Sequence, residues 1–201
     1  MRRSAASRSR AATRERLLSS GVELFAAKGL HGVTTHDVAH HAGMAAGTFY
    51  LPFKDKGALF REIAFEALND LQQRLDAASD AADLRNSVPR IAEALVCYAE
   101  ENRERVRIIF SVDRDCDRGR DNADVETDLL STLAATIAEG RRQRISSGEM
   151  PAKLDPVILS QALVGMWARV IAWWIEDPSR ASRNTLIRTL TEIQLAGTHP
   201  A

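Results

Sequence analysis

Apolar residues recur along this chain at spacings of three and four, the interval that lines one face of a helix. From Asp55, a capping residue, Leu59, Phe60, Ile63, Ala67, Leu68, Leu71 and Leu75 trace one amphipathic stripe and predict a long helix ending about Ala78. The same pattern predicts helices over 84–101, 103–112, 122–145, 155–176 and 179–195, with loops at 113–121 and 146–154. Asp155-Pro156 is a helix start, a cap followed by proline at the first helical position. No strand-like alternation suggests a hairpin and no segment repeats. The pattern is that of an all-α chain.

Ahead of the long stripe the period shortens. Gly29 and Gly32 close a preceding helix, and Thr34 or Thr35 can cap a new one over 36–41 through a side-chain oxygen. Asp37 falls in its first turn, where negative charge suits the helix dipole. Val38 and Ala42 give it an apolar edge, Ala39 admits a close neighbour, and Gly43 can take the positive φ of a tight turn. A second short helix, 45–51, sends Phe49 and Phe53 to the core and leaves Ala46, Thr48 and Tyr50 on other faces. Two short helices about a glycine turn, the second with few bulky exposed side chains, are the layout of a helix-turn-helix that enters a major groove.

At these residues the chain resembles the TetR family of bacterial repressors. Thr35, Val38-Ala39, Ala42-Gly43, Gly47-Thr48, Tyr50, Phe53, Lys56 and Leu59 occupy the positions of the family motif, over about the first quarter of the chain. The resemblance implies an N-terminal three-helix DNA-binding domain and a C-terminal helical ligand-binding and dimerisation domain. It further implies a homodimer that binds a palindromic operator and releases it when a small molecule enters the second domain. Negative control is more common in the family than activation. The expected divisions are a basic flexible tail at 1–12, the DNA-binding domain at 13–58 and the second domain at 59–201. By resemblance Thr35, Tyr50 and Lys56 position the protein on phosphates. Ala46 and Thr48 suit base edges, a methyl for a thymine methyl and a hydroxyl for either base partner. Three positions depart from the motif. Ala45 replaces a capping serine, a loss of about 1 kcal/mol; Pro52 replaces a His or Tyr and ends the helix near Leu51; Gly57 follows Lys56 where Glu is common.

Composition sharpens this picture. A chain of 201 residues with 45% hydrophobic content holds one large or two small domains. Cys97 and Cys116 are too few for a disulfide framework, and the basic amino terminus lacks the apolar segment of a signal peptide. The longest apolar stretch, 162–175, is too short to span a bilayer and contains Arg169. The expectation is a cytoplasmic protein. Net charge is zero, yet residues 1–62 hold 10 Lys+Arg against 5 Asp+Glu, which leaves +5 there and −5 beyond. A basic amino-terminal domain suits a phosphate backbone. The first ten residues, rich in Arg and Ser, read either as an arm for a minor groove or as a solvated tail.

The last two predicted helices bear on assembly. Apolar residues of 155–176 cover more than one stripe, while Gly165, Ala168 and Ala172 allow close approach. Val164, Ala168, Ile171, Ile175, Leu186, Leu190 and Ile193 are the expected dimer interface, a four-helix arrangement about a two-fold axis; the alternative is that both stripes lie inside one chain. Cys97, Arg107, Phe110, Leu133, Met166, Trp167 and Val170 are candidate effector contacts, with Arg107 or Arg169 as anchors for an anion, and suit an apolar or aromatic molecule. No cofactor is implied, and no enzyme.

Two chemical patterns compete with this reading. His36-Asp37-Val38-Ala39-His40 mimics the H-E-x-x-H of zinc hydrolases, with a carboxylate too short to reach a metal-bound water and no evident third ligand. Asp113, Asp115, Asp117, Asp121 and Asp124 imitate an EF-hand count, but Arg118 holds the position of the turn glycine and Arg114 and Arg120 repel a cation. A DNA-binding protein without a ligand is the remaining alternative.

Overall fold

The computed structural model describes residues 2–79, 84–110, 120–148 and 153–198, with side chains described over 10–79, 86–110, 130–148 and 153–196. The chain forms α1 (Arg2–Lys28), α2 (Thr35–His41), a 3-10 helix at Ala46–Tyr50, α3 (Lys56–Ala78), α4 (Leu84–Glu101), α5 (Arg103–Phe110), α6 (Arg120–Ser146), α7 (Pro156–Glu176), a 3-10 helix at Pro178–Arg180 and α8 (Arg183–Thr198). No strand occurs among the described residues, and the all-α expectation holds. The acidic stretch with the EF-hand-like count lies outside the described residues at 111–119 and outside the described side chains to 129.

Two compact units divide the chain, residues 1–68 and 69–201, and α3 contributes to both. The division falls ten residues beyond the expected one because the first half of α3 belongs to the first core: Leu59, Phe60, Ile63, Ala64 and Ala67 are all buried. The Phe25 ring meets Phe60 edge-on with centroids 5.6 Å apart. Gly21 lets α1 approach α3 closely, since a Cβ there would stand 2.9 Å from Ile63 Cδ1 and 3.0 Å from Leu59 Cδ2. Residues 2–12, expected as a flexible tail, continue α1 as helix. Alanine and arginine are strong helix formers, and no glycine or proline interrupts the chain before Gly21.

In the second unit α6 and α7 pack against each other, α7 also meets α4 and α5, and α8 lies on α4. Asp155 caps α7 as expected, accepting from the backbone N–H of Val157 and Ile158, both at 2.9 Å. At 21 residues, with an 18-residue window of mean hydropathy 1.4, α7 is by length and composition long enough to cross a membrane, whereas the apolar stretch within it reads as too short. Its stripe of Ser160, Val164, Ala168, Ile171, Trp174 and Ile175 is nonetheless buried among its neighbours, as in a core helix.

That burial corrects the expected dimer interface. Val164, Ala168, Ile171 and Ile175 of α7, with Leu186 and Leu190 of α8, are inside this unit's own core, none more than 8% exposed; of the seven, only Ile193, at 53%, faces out. The alternative of two stripes within one chain applies to this face of α7. The start of α8 also moves, from 179 to Arg183. Asp177 caps the 3-10 turn, accepting from the Ser179 N–H at 3.1 Å. Ala181 is then extended at φ −154°, ψ 144°, and the Ser182 hydroxyl restarts the helix by accepting from the Thr185 N–H at 3.2 Å. The Trp174 indole fixes the turn by donating to the Ala181 carbonyl at 2.9 Å.

Candidate nucleic-acid interface

The first short helix is held at both ends. Thr34, not Thr35, is its cap: the Thr34 hydroxyl accepts from the Asp37 N–H at 3.1 Å while the Asp37 carboxylate accepts from the Thr34 N–H at 2.8 Å and hydroxyl at 2.6 Å. This reciprocal box satisfies helix donors that would otherwise be orphaned. The same bonds from Thr34 hold the Asp37 carboxyl below its ordinary pKa. At the other end the Arg16 guanidinium of α1 donates to the Ala42 carbonyl, placing positive charge where the α2 dipole is negative. Gly43 then takes φ 67° and turns the chain, its N–H donating to the His40 carbonyl at 2.9 Å.

The second short helix is 3-10 rather than α. Ala45 makes no side-chain cap and Thr48 N–H donates to the Ala45 carbonyl at 2.9 Å. An uncapped start, an internal Gly47 and a following Pro52 leave five residues to close on i+3 bonds. Phe49 and Phe53 are buried as expected, with centroids 5.9 Å apart. The outward side carries Ala46, exposed, and Thr48, half-buried. Tyr50 is 59% exposed, and its hydroxyl lies 3.0 Å from the Thr35 hydroxyl. Two side chains separated by 15 residues, both expected at phosphates, thus form one hydroxyl pair.

Lys56 stands differently from expectation. Its ammonium donates to the Leu30 and Val33 carbonyls, both at 3.0 Å, so α3 is fastened to the loop between α1 and α2. Two of three donors are committed inside the protein and one is left for a phosphate. Neither this clasp nor that of Arg16 carries a local signal, because each joins residues 23 or 26 apart. Exposed His36 and His40 stack with centroids 6.4 Å apart. The Asp37 carboxylate between them in sequence is turned to the Thr34 cap, which removes it from the place a hydrolytic base would need.

The effector candidates lie on elements that meet: Phe110 is buried on α5, Leu133 is half-buried on α6, and Met166, Trp167 and Val170 are half-buried on α7. Two have other employment. The Cys97 sulfur accepts from the Arg183 guanidinium at 2.8 Å, at the start of α8, and the Trp167 indole donates to Gln194 at 2.9 Å. Arg107 is exposed. A surface cavity of about 370 Å³ instead opens where α6 ends and α7 begins, and none of the seven lines it.

Capped helix, positive-φ glycine turn and a short exposed segment with paired hydroxyls define a helix-turn-helix DNA-binding protein. Residues 17–63 match the family model of the bacterial regulatory proteins, tetR family. Those 47 residues, under a quarter of the chain, are similar to the DNA-binding part of transcriptional regulators of that family. The Fatty acid metabolism regulator protein of Bacillus subtilis is 21% identical over 188 residues, covering 91% of this chain and 94% of that protein. The fold matches FadR from Bacillus subtilis in complex with stearoyl-CoA at a TM-score of 0.71 and 18% identity, over 92% of this chain and 99% of that one. It matches SmeT in its triclosan complex at 0.72 and 18% identity, over 92% and 91%.

Proposed function

We propose that this regulator is a cytoplasmic repressor that binds a palindromic operator as a homodimer and lets go when a small molecule occupies its second unit. The observation that carries the DNA half is the Thr35–Tyr50 hydroxyl pair, exposed beside Ala46 and Thr48 on the basic part of the chain. Hydroxyls at that position serve phosphates, and the small side chains next to them admit base edges. Ligand release is supported by relatives of the same fold that hold stearoyl-CoA or triclosan. An apolar or aromatic effector suits Phe110, Leu133, Met166 and Val170.

The dimer rests on a different face of α7 from the buried one. Ile158, Ala162, Gly165, Arg169 and Trp173 are exposed at spacings of three and four, and α8 adds exposed Ile193. Trp167, through its bond to Gln194, holds α7 beside that part of α8. Selection of binding sites from random duplex DNA, followed by salt titration, tests the whole reading. The expected result is an enriched palindrome with half-sites about 34 Å apart, or a multiple of that, and steep salt dependence. No palindrome and a flat salt response would overturn it. Operator release by a small molecule separates the repressor from a DNA-binding protein without a ligand.

A further inference from the structure

Two polar side chains without partners among the described residues stand one helical turn from the cavity where α6 ends and α7 begins. It is lined on α6 by Arg142 and Ile145, and on the α7 side by Lys153, Asp155 and Pro156 among others. One helical turn away stand Arg141, four residues before Ile145, and Ser160, four after Pro156. Residues four apart share a helix face, so each continues along its helix a face that borders the cavity. Nε and Nη1 of Arg141 and Oγ of Ser160 are closed to solvent and have no hydrogen-bond partner among the described residues. Arg141 is half-buried, and withdrawing part of a guanidinium from water without a counter-charge among the described residues is costly. Burial lowers the Arg141 pKa, and the nearby charge of Arg144 lowers it further.

Two acids of this region with described side chains are otherwise engaged. Asp155 caps α7, and Glu139 pairs with Arg142 at 3.0 Å. Neither neutralises Arg141, and Lys153 adds another cation at the cavity wall. A guanidinium presents parallel N–H donors that match the two oxygens of a carboxylate or phosphate, and a serine hydroxyl can donate a third bond.

We propose that Arg141 and Ser160 form an anion-binding subsite of the second unit, reached through the α6–α7 cavity, that takes the carboxylate or phosphate group of an acidic effector. The proposal rests on the reading of that unit as effector-binding and gives its effector a charge.

Thermal unfolding of the full chain in acetate and in inorganic phosphate, each against sodium chloride of equal ionic strength, is the test. A saturable rise of about 2 °C or more in one of the two is expected, acetate naming a carboxylate and phosphate a phosphate group. Arg141→Met should abolish the rise while leaving Tm in chloride unchanged or higher, because it removes an uncompensated buried charge. Ser160→Ala should weaken the anion's effect several-fold and keeps the test open should Arg141→Met not fold. No rise in either anion, or a rise retained in both variants, overturns the subsite. Operator release by a neutral molecule with no anion effect sinks the subsite alone. An anion effect lost in Arg141→Met with no operator release by any small molecule sinks the repressor reading alone.

Discussion

Gly47 stands in open space: a Cβ there would meet nothing within 4 Å. No fold requirement keeps a side chain off the exposed segment between Ala46 and Thr48, and in the proposed DNA complex its absence leaves room for the groove. Gly47→Leu should fold with unchanged or raised Tm, since glycine within a helical turn costs about 0.5–1 kcal/mol, yet lose at least about tenfold in operator affinity through the side chain thrust at the groove. Wild-type affinity in Gly47→Leu would take this segment away from the DNA. Lys56 poses the complementary case, with its ammonium on the Leu30 and Val33 carbonyls. Lys56→Ala should lower Tm by releasing that loop, and should weaken binding to all sequences with a salt slope smaller by about one if the third N–H meets a phosphate. A lower Tm with an unchanged slope assigns Lys56 to the loop alone.

Elements were legible in the sequence in proportion to how local their causes are. Thr34 and Asp37, Gly43, Asp155-Pro156 and the three-and-four spacing of α3 act within a few residues, and the helices they predict are the ones found. The start of α8 was missed because the Asp177 and Ser182 caps compete for the same stretch and an extended Ala181 decides between them. Which stripe of α7 faces its own chain depends on α4, α5 and α6 arriving from elsewhere, and periodicity cannot show it. Gly21, a contact glycine to Leu59 and Ile63, looks like any helical residue until α3 is in place. In α4, Tyr98 is fully buried and carries the Arg74 guanidinium 5.1 Å above its ring. Burial, with the charge of Asp70, raises its pKa to about 12. A phenol whose folded pKa exceeds its unfolded one stabilises fully below the unfolded value, about 10, and loses that contribution as pH rises toward the folded value. In Tyr50→Phe, where Tyr98 is the remaining tyrosine, tyrosinate absorbance should therefore appear near pH 12 or with unfolding, and stability should fall by on the order of 1 kcal/mol above pH 10. Full ionisation at pH 10 in the folded protein would contradict the burial.

At the scale of the whole molecule, the question is how two recognition segments come to act together, and Gly165 is the most direct probe of it. It sits mid-helix on the exposed face of α7, where glycine costs about 1 kcal/mol relative to alanine, and a Cβ there would meet nothing within 4 Å. In the proposed homodimer, a glycine that its own chain does not need leaves room for a second copy to lie close against it. About a two-fold axis the same patch meets itself, so a charge placed there faces its own image. Gly165→Glu should fold at least as well as wild type yet sediment as a monomer, and its affinity for a full palindrome should fall by about 100-fold or more, toward that for a single half-site. Ile193→Glu, exposed on the neighbouring α8, should act in the same direction. A Gly165→Glu protein that remains dimeric and keeps its operator affinity would move the interface off this face of α7, and with it the geometry that sets the half-site spacing.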